Sequence, residues 1–148
     1  MNNLESIRWT DDQEQVDWYE LELLYCLAPL GNKPAKHLQI VFTNSRYKFF
    51  AYADGRLLAA GRALADGADC AYICDVAVLP DHQGTGLGRE MMLRLMEATR
   101  DHSKVILFSV PEKEGFYRKL GFKRLLTAMA TFKNHAAATA RGYLDKDD

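Results

Sequence analysis

The sequence predicts a mixed α/β fold built on one central sheet, antiparallel in its first half and closed by a parallel β-α-β unit. Three observations carry that expectation. Alternating apolar segments flank Asp54-Gly55, a hairpin signal because Asp-Gly accepts the positive φ angles of tight turns. Cys70 to Leu79 is a mostly apolar run that reads as a strand buried on both faces, and so as the central strand. A glycine-rich turn then opens an amphipathic helix, and a further apolar run follows at Val105 to Val110, an order that implies a crossover between parallel strands.

Taken in order, Ile7-Arg8-Trp9 is a short strand candidate, and Asp11 or Asp12 is placed to cap a helix running to about Cys26. Val16, Tyr19 and Leu23, with the adjoining Trp18, Leu21, Leu24 and Tyr25, form its apolar stripe; Pro29 and Gly31 end it. Pro34 suits the first turn of a second helix, Ala35 to about Phe42, because its missing N–H would have no helical partner there. Tyr47 to Ala53 and Leu57 to Ala65 are the hairpin strands, and Asp66-Gly67-Ala68-Asp69 turns the chain into the Cys70 strand. Leu87, Met91 and Leu95, with Met92 and Met96, repeat at helical spacing up to about Arg100. Glu112 to Leu120 reads as a helix stopped by Gly121, with Phe122 to Leu126 and Ala128 to Lys133 as closing strands.

A length of 148 residues suits one domain, 1–144, with Asp145-Lys146-Asp147-Asp148 as a flexible acidic tail. The 48% apolar and 26% charged fractions fit a globular protein and exclude collagen-like, coiled-coil and strongly disordered chains. Nineteen basic residues against 20 acidic ones leave a net charge of −1, so no basic surplus drives nucleic-acid binding. The amino terminus lacks the basic region and apolar run of a secretory signal, and no stretch is long and apolar enough to span a bilayer, so the expectation is a cytoplasmic protein without membrane contact. Cys26, Cys70 and Cys74 cannot all pair and read as reduced thiols. His37, His82, His102 and His135 are scattered without ligand-like spacing, and no metal is expected.

The segment richest in chemistry is Gln83-Gly84-Thr85-Gly86-Leu87-Gly88-Arg89, between the buried strand and the following helix. Alternate glycines let the backbone bend tightly and turn free amides toward a ligand, and a helix start favours negative charge, which together suit a pyrophosphate. No Lys-Ser/Thr follows, which excludes a nucleotide-hydrolase phosphate loop; Arg89 stands where a dinucleotide fingerprint needs its third glycine. The alternative is a connection that merely needs flexible residues.

Gln83 to Gly88 resembles the Gln/Arg-x-x-Gly-x-Gly/Ala signature of the GNAT superfamily of N-acetyltransferases, and it follows Val76-Ala77-Val78-Leu79-Pro80 as that family's signature follows its fourth strand. Gly115-Phe116-Tyr117-Arg118-Lys119-Leu120-Gly121-Phe122 is similar to the family's Phe-Tyr-x-Lys-x-Gly-Phe motif. The resemblance implies a GNAT-like single domain whose mostly antiparallel, twisted sheet has its parallel unit at the cofactor cleft. It implies acetyl-CoA as cosubstrate, with its pantetheine on the backbone of Val76, Ala77 and Val78 and its pyrophosphate on the amides from Gln83 to Arg89. Tyr117 matches the family tyrosine that assists the leaving CoA sulfur; packing beside Phe116 and Phe122 is the alternative. The chain departs from the pattern at Val110-Pro111-Glu112-Lys113, where many relatives carry Asn and Ala; the backbone cradle is unaffected.

Asp75 is the nearest carboxylate for a general base, with a structural hydrogen-bonded role and proton removal by water as alternatives; alternation puts Tyr72 and Cys74 on the face opposite to it. The expected reaction is direct acetyl transfer in a ternary complex to a primary amine, a small molecule being the favoured acceptor. A protein lysine or N-terminus, and a non-catalytic acyl-CoA-binding module, are the alternatives, and a homodimer is an open option. Asp11, Asp12, Glu14, Asp17, Glu20 and Glu22 would suit a cationic amine, or form a solvated face. Trp18, Tyr19, Tyr25, Tyr47, Phe49, Phe50 and Tyr52 could wall an aromatic acceptor pocket, or be ordinary core.

Overall fold

A computed structural model describes residues 6–148; residues 1–5, the terminus read above as lacking a signal, lie outside the described residues. The contacts group the chain into two compact units that divide between Leu107 and Phe108.

The first unit is organised by one sheet in the order β1 (Arg8–Thr10), β2 (Tyr47–Ala53), β3 (Arg56–Ala65), β4 (Cys70–Val78) and β5 (Lys104–Ile106). Every neighbouring pair is antiparallel except β4 and β5, which run parallel. The hairpin forms where Asp54-Gly55 predicts it, both residues taking positive φ (51° and 75°). The next turn is held by Asp66, whose Oδ1 accepts from the backbone N–H groups of Ala68, Asp69 and Cys70, which lowers its pKa to about 2.

Phe50 lies opposite Ala60 in the β2–β3 ladder and packs its ring 5.3 Å from Phe42 of α2 (Ala35–Thr43), so this face carries α1 (Trp18–Leu27) and α2. Gly61 points the other way, against Met91 and Leu95 of α3 (Leu87–Ala98). A Cβ at Gly61 would stand 3.0 Å from Leu95 Cδ1, so the close approach of α3 to the sheet depends on this glycine. Leu21, Leu24, Tyr25, Leu38, Phe42 and Phe50 on one side and Leu87, Met91, Met92 and Leu95 on the other are buried. Burial of a side chain of this size stabilises by about 1.5–3 kcal/mol.

Several boundaries differ from the sequence expectation. The single helix predicted from Asp11 or Asp12 is two elements: a 3₁₀ turn at Gln13–Gln15 capped by Asp12, then α1 capped afresh by Asp17, whose Oδ1 accepts from the N–H groups of Tyr19 and Glu20. Val16 is extended between them and buried, so its apolar character serves the break instead of a continuous stripe. β3, not β4, is the middle strand, because nothing extends the sheet beyond β5 among the described residues.

The second unit contains α4 (Glu114–Lys119) and α5 (His135–Ala140). α4 ends at Gly121, with φ of 98°, as the sequence indicates. Phe132 and Tyr143 stack at 6.3 Å and 6°, and Phe108 meets Tyr143 edge-on at 5.3 Å. Gly142 adopts φ of 81° and lies so close to Pro111 that a Cβ would stand 2.9 Å from its Cγ. The closing strands expected at Phe122–Leu126 and Ala128–Lys133 do not form, and Leu126 and Met129 are 88% and 91% exposed. Apolar alternation predicts which residues would share a strand face; a strand also needs an edge to pair with, and this unit has no described strand.

Candidate functional site

The site is built at the end of β4. β4 and β5 pair only through Cys70–Tyr72 and Lys104–Ile106, so beyond that ladder no described strand pairs with the β5 side of Asp75, Val76, Ala77 and Val78. The chain then leaves the sheet: Leu79 N–H still donates to Leu58 O at 2.8 Å, and Pro80–His82 forms a 3₁₀ turn. Gln83 Nε2 donates to Val78 O at 3.1 Å, and Thr85 Oγ1 to His82 O at 2.6 Å, which fixes the loop from both ends. Gly84 and Gly86 take φ of 78° and 90°, and Gly86 starts α3 with no side-chain cap.

The first intrahelical bond is Glu90 N–H to Gly86 O at 3.0 Å, which leaves the amides of Leu87, Gly88 and Arg89 in the first turn without a partner four residues back. A Cβ on Gly84 would meet no atom within 4 Å, so the loop faces open space and the glycine is required for its backbone angle. First-turn amides with no helical partner, an uncapped twelve-residue helix and the open space at Gly84 fit a pyrophosphate group.

Asp75 lies where β4 bulges. Ala60 pairs with Ala77 and Arg62 with Cys74, so β4 carries one extra residue opposite Gly61, and Asp75 takes φ of 55°. The bulge overturns the alternation expected from the sequence: Asp75 is brought to the face of its neighbour Cys74, where Arg62 Nε stands 2.8 Å from Oδ2 and Lys33 Nζ 3.3 Å from Oδ1. Arg62 Nη1 also donates to Ser45 Oγ at 3.2 Å, and the Tyr25 hydroxyl donates to the Asp75 carbonyl. Burial, with the Asp75 charge second, holds the Tyr25 phenol well above its ordinary range, and burial pushes the Cys74 thiol up to about 11. Sequence reasoning missed Lys33 and Arg62 as partners of the Asp75 carboxylate, Tyr25 as the partner of its carbonyl, and Ser45 as the second partner of Arg62. Arg62 carried a signal: an isolated cation within Leu57–Ala65, otherwise apolar, needs a counterion.

Tyr117 belongs to the second unit. It lies in α4 with Phe116 at 5.0 Å and Phe122 at 6.2 Å, both edge-on, and burial raises its pKa, with Tyr143 adding a smaller effect. The phenol therefore keeps its proton at neutral pH and is a hydrogen-bond donor.

Two acceptor readings change. Of the six acids near the first helix, Asp12 and Asp17 cap backbone turns, Glu20 Oε2 accepts from Leu57 N–H at 3.0 Å, and Glu22 Oε1 accepts from Ala35 N–H at 2.7 Å. The charge of these four is used to satisfy backbone donors. Of the aromatics, Trp18, Tyr25 and Phe50 pack around Phe42, Tyr25 and Phe50 being fully buried as ordinary core, whereas Tyr19 is 77% exposed. Among the described residues no group of His, Cys, Asp or Glu could hold a metal ion, and no helix is long and apolar enough to cross a membrane.

The Acetyltransferase (GNAT) family model matches residues 4–122, most of the chain and the whole of the cradle. The chain belongs to the GNAT family. This GNAT chain is 32% identical over 120 residues to the uncharacterised N-acetyltransferase ycf52 of Pyropia yezoensis, covering 77% of this chain and 69% of that protein. It is 46% identical over 70 residues to the chloroplastic serotonin N-acetyltransferase 2 of Oryza sativa subsp. japonica, covering 46% of this chain and 35% of that protein. A GNAT family acetyltransferase structure from Streptococcus pneumoniae TIGR4 shares the fold, with a TM-score of 0.74 and 24% identity, covering 87% of this chain and 98% of that one. The mixed α/β GNAT fold, with its mostly antiparallel sheet and one parallel pair, is thus established, as is an acetyltransferase family for this chain.

Proposed function

We propose that this GNAT family member transfers the acetyl group of acetyl-CoA directly to the primary amine of a small molecule within a ternary complex. The observation that carries the reading is the Gly84-to-Arg89 loop, whose backbone presents the amides of an uncapped helix start at the end of a strand with an unpaired edge. Acetyl-CoA supplies the activated acetyl group. The amides from Gln83 to Arg89 hold its pyrophosphate, and the backbone of Val76, Ala77 and Val78 holds its pantetheine arm. Asp75 takes the proton that the acceptor amine releases, directly or through water. The Tyr117 hydroxyl donates to the departing sulfur, a role assigned from its motif and suited by a phenol that stays protonated.

The name of the rice relative, a serotonin N-acetyltransferase, supports a small amine, whereas that of a Glycine max relative, histone acetyltransferase TAP1, supports the protein-acceptor alternative. The test is thiol release from acetyl-CoA over a panel of arylalkylamines, polyamines, amino acids and lysine peptides. Turnover with small amines supports the proposal. Turnover confined to peptides would assign a protein acceptor, and acetyl-CoA binding without any turnover would make the chain a non-catalytic acyl-CoA-binding module.

A further inference from the structure

Lys33 has no role in the transfer reaction described above, yet its ammonium stands at the reacting end of the strand that the pantetheine arm would follow. It lies in the loop between α1 and α2, its Nζ 3.3 Å from Asp75 Oδ1, with its side chain 24% exposed. Among the described residues one other lysine pairs with a carboxylate, Lys104 with Asp69, at the opposite end of β4 from the glycine loop. We propose that Lys33 is a self-acetylation site of this chain, modified by the acetyl-CoA bound on its own cradle; the proposal rests on the reading of that cradle given above.

The direction of β4 supports it. From Val78, whose carbonyl accepts from Gln83 of the loop, the strand runs back through Ala77 and Val76 to the bulge at Asp75, about 10 Å from Val78 at the usual rise per strand residue. An arm anchored by pyrophosphate on the loop and lying along those three residues delivers its thioester to the neighbourhood of Asp75. Asp75 in turn holds a primary amine in place. Lysine has a flexible four-carbon stem, so Nζ can leave the carboxylate without backbone movement.

The chemistry is that proposed for the acceptor amine, and it balances. The Lys33 ammonium first gives one proton to solvent by way of Asp75. The neutral nitrogen then attacks the thioester carbonyl; a C–N bond forms, the C–S bond breaks, and the second proton leaves nitrogen for the departing thiolate. The products are N-acetyllysine and CoA thiol. The charge of Lys33 is then gone, its ion pair with Asp75 is lost, and Oδ1 is free for another ammonium. Self-acetylation would thereby convert a site filled by its own lysine into one open to a cationic acceptor.

The test incubates the full chain at pH 8 with acetyl-CoA carrying a ¹³C-labelled acetyl group and maps the label by peptide mass spectrometry. The expected result is a single labelled acetyl on Lys33, formed at a rate independent of protein concentration. It should form about 100-fold faster than modification of exposed Lys36, because a held amine reacts at a high effective concentration. The Gly86→Val variant should lose that selectivity, and Lys33→Arg should take up no fast label. A second readout needs no acetyl transfer: CoA should protect Lys33, but not Lys36, from reductive methylation.

Label spread evenly over the lysines would overturn the proposal, as would equal labelling of Lys33 in Gly86→Val. So would an unlabelled or unprotected Lys33 in a chain that binds acetyl-CoA by calorimetry. If calorimetry shows no acetyl-CoA binding at all, the cradle reading has failed and this proposal fails with it.

Discussion

The glycine loop and the Asp75 cluster are separated by eight residues, from Val76 to Gln83, yet they are built by opposite means. From Gly84 to Arg89 the proposed binding groups are backbone amides, and the side chains matter chiefly for what they omit: two glycines supply φ of 78° and 90°, and no cap fills the helix start. At Asp75 the working groups are side chains drawn from α1, the α1–α2 loop, the end of α2 and β3. A backbone site is written in consecutive residues and survives most substitutions other than those that change its angles. A side-chain cluster is written across the chain and depends on each partner.

The sharpest way to break the contrast is Gly86→Val. A β-branched side chain resists φ near 90° and would stand among the amides, so acetyl-CoA affinity should fall by at least about 100-fold while far-UV circular dichroism stays unchanged. A folded variant with parental affinity would show that the loop does not carry the cofactor. Next in size is Tyr117→Phe, which keeps the ring packing against Phe116 and Phe122 and deletes the hydroxyl. The chemical step measured by rapid quench should slow by about 100-fold with acetyl-CoA affinity retained. Equal rates would return Tyr117 to a packing role.

On the side-chain half, Arg62→Met should cost about 3 kcal/mol in urea unfolding, because it takes from half-buried Asp75 its closer cation and leaves Ser45 Oγ without that donor. A loss below about 1 kcal/mol would mean that the cluster does not hold the bulge. The smallest expected effect is at Cys74. Its folded pKa lies above the ordinary 9.0, at about 11, so the fold favours the protonated thiol. That contribution is complete below pH 9 and declines as pH rises toward about 11. Iodoacetamide at pH 8 should label exposed Cys26 at least about tenfold faster than Cys74, and comparable rates would contradict the burial of that thiol.

The same contrast explains what could be seen in the sequence. The hairpin at Asp54-Gly55, the glycine turn before α3 and the stop at Gly121 were all legible, because each is a local backbone requirement stated by adjacent residues. The bulge was not. A single extra residue in β4 moves Asp75 to the face of Cys74, and only the β3 register reveals it. Lys33 and Arg62 were hidden for a related reason, since their common partner lies 42 and 13 positions away along the chain. The acids near α1 left two readings open, a field for a cation or a solvated face, because the Leu57 and Ala35 amides that bind Glu20 and Glu22 are remote in sequence. At Phe122–Lys133 apolar residues were present, but among the described residues of this unit no strand forms for them to pair with.

The most direct measurement of the backbone cradle is an ¹⁵N-resolved titration of the chain with CoA, which lacks the acetyl group and so isolates binding from chemistry. The amides of Gly84, Thr85, Gly86, Leu87, Gly88 and Arg89 should show the largest shifts, with smaller ones at Val76, Ala77 and Val78. All should be lost in Gly86→Val. Saturable CoA binding that leaves the amides from Gly84 to Arg89 unmoved would contradict the assignment of the pyrophosphate to this loop.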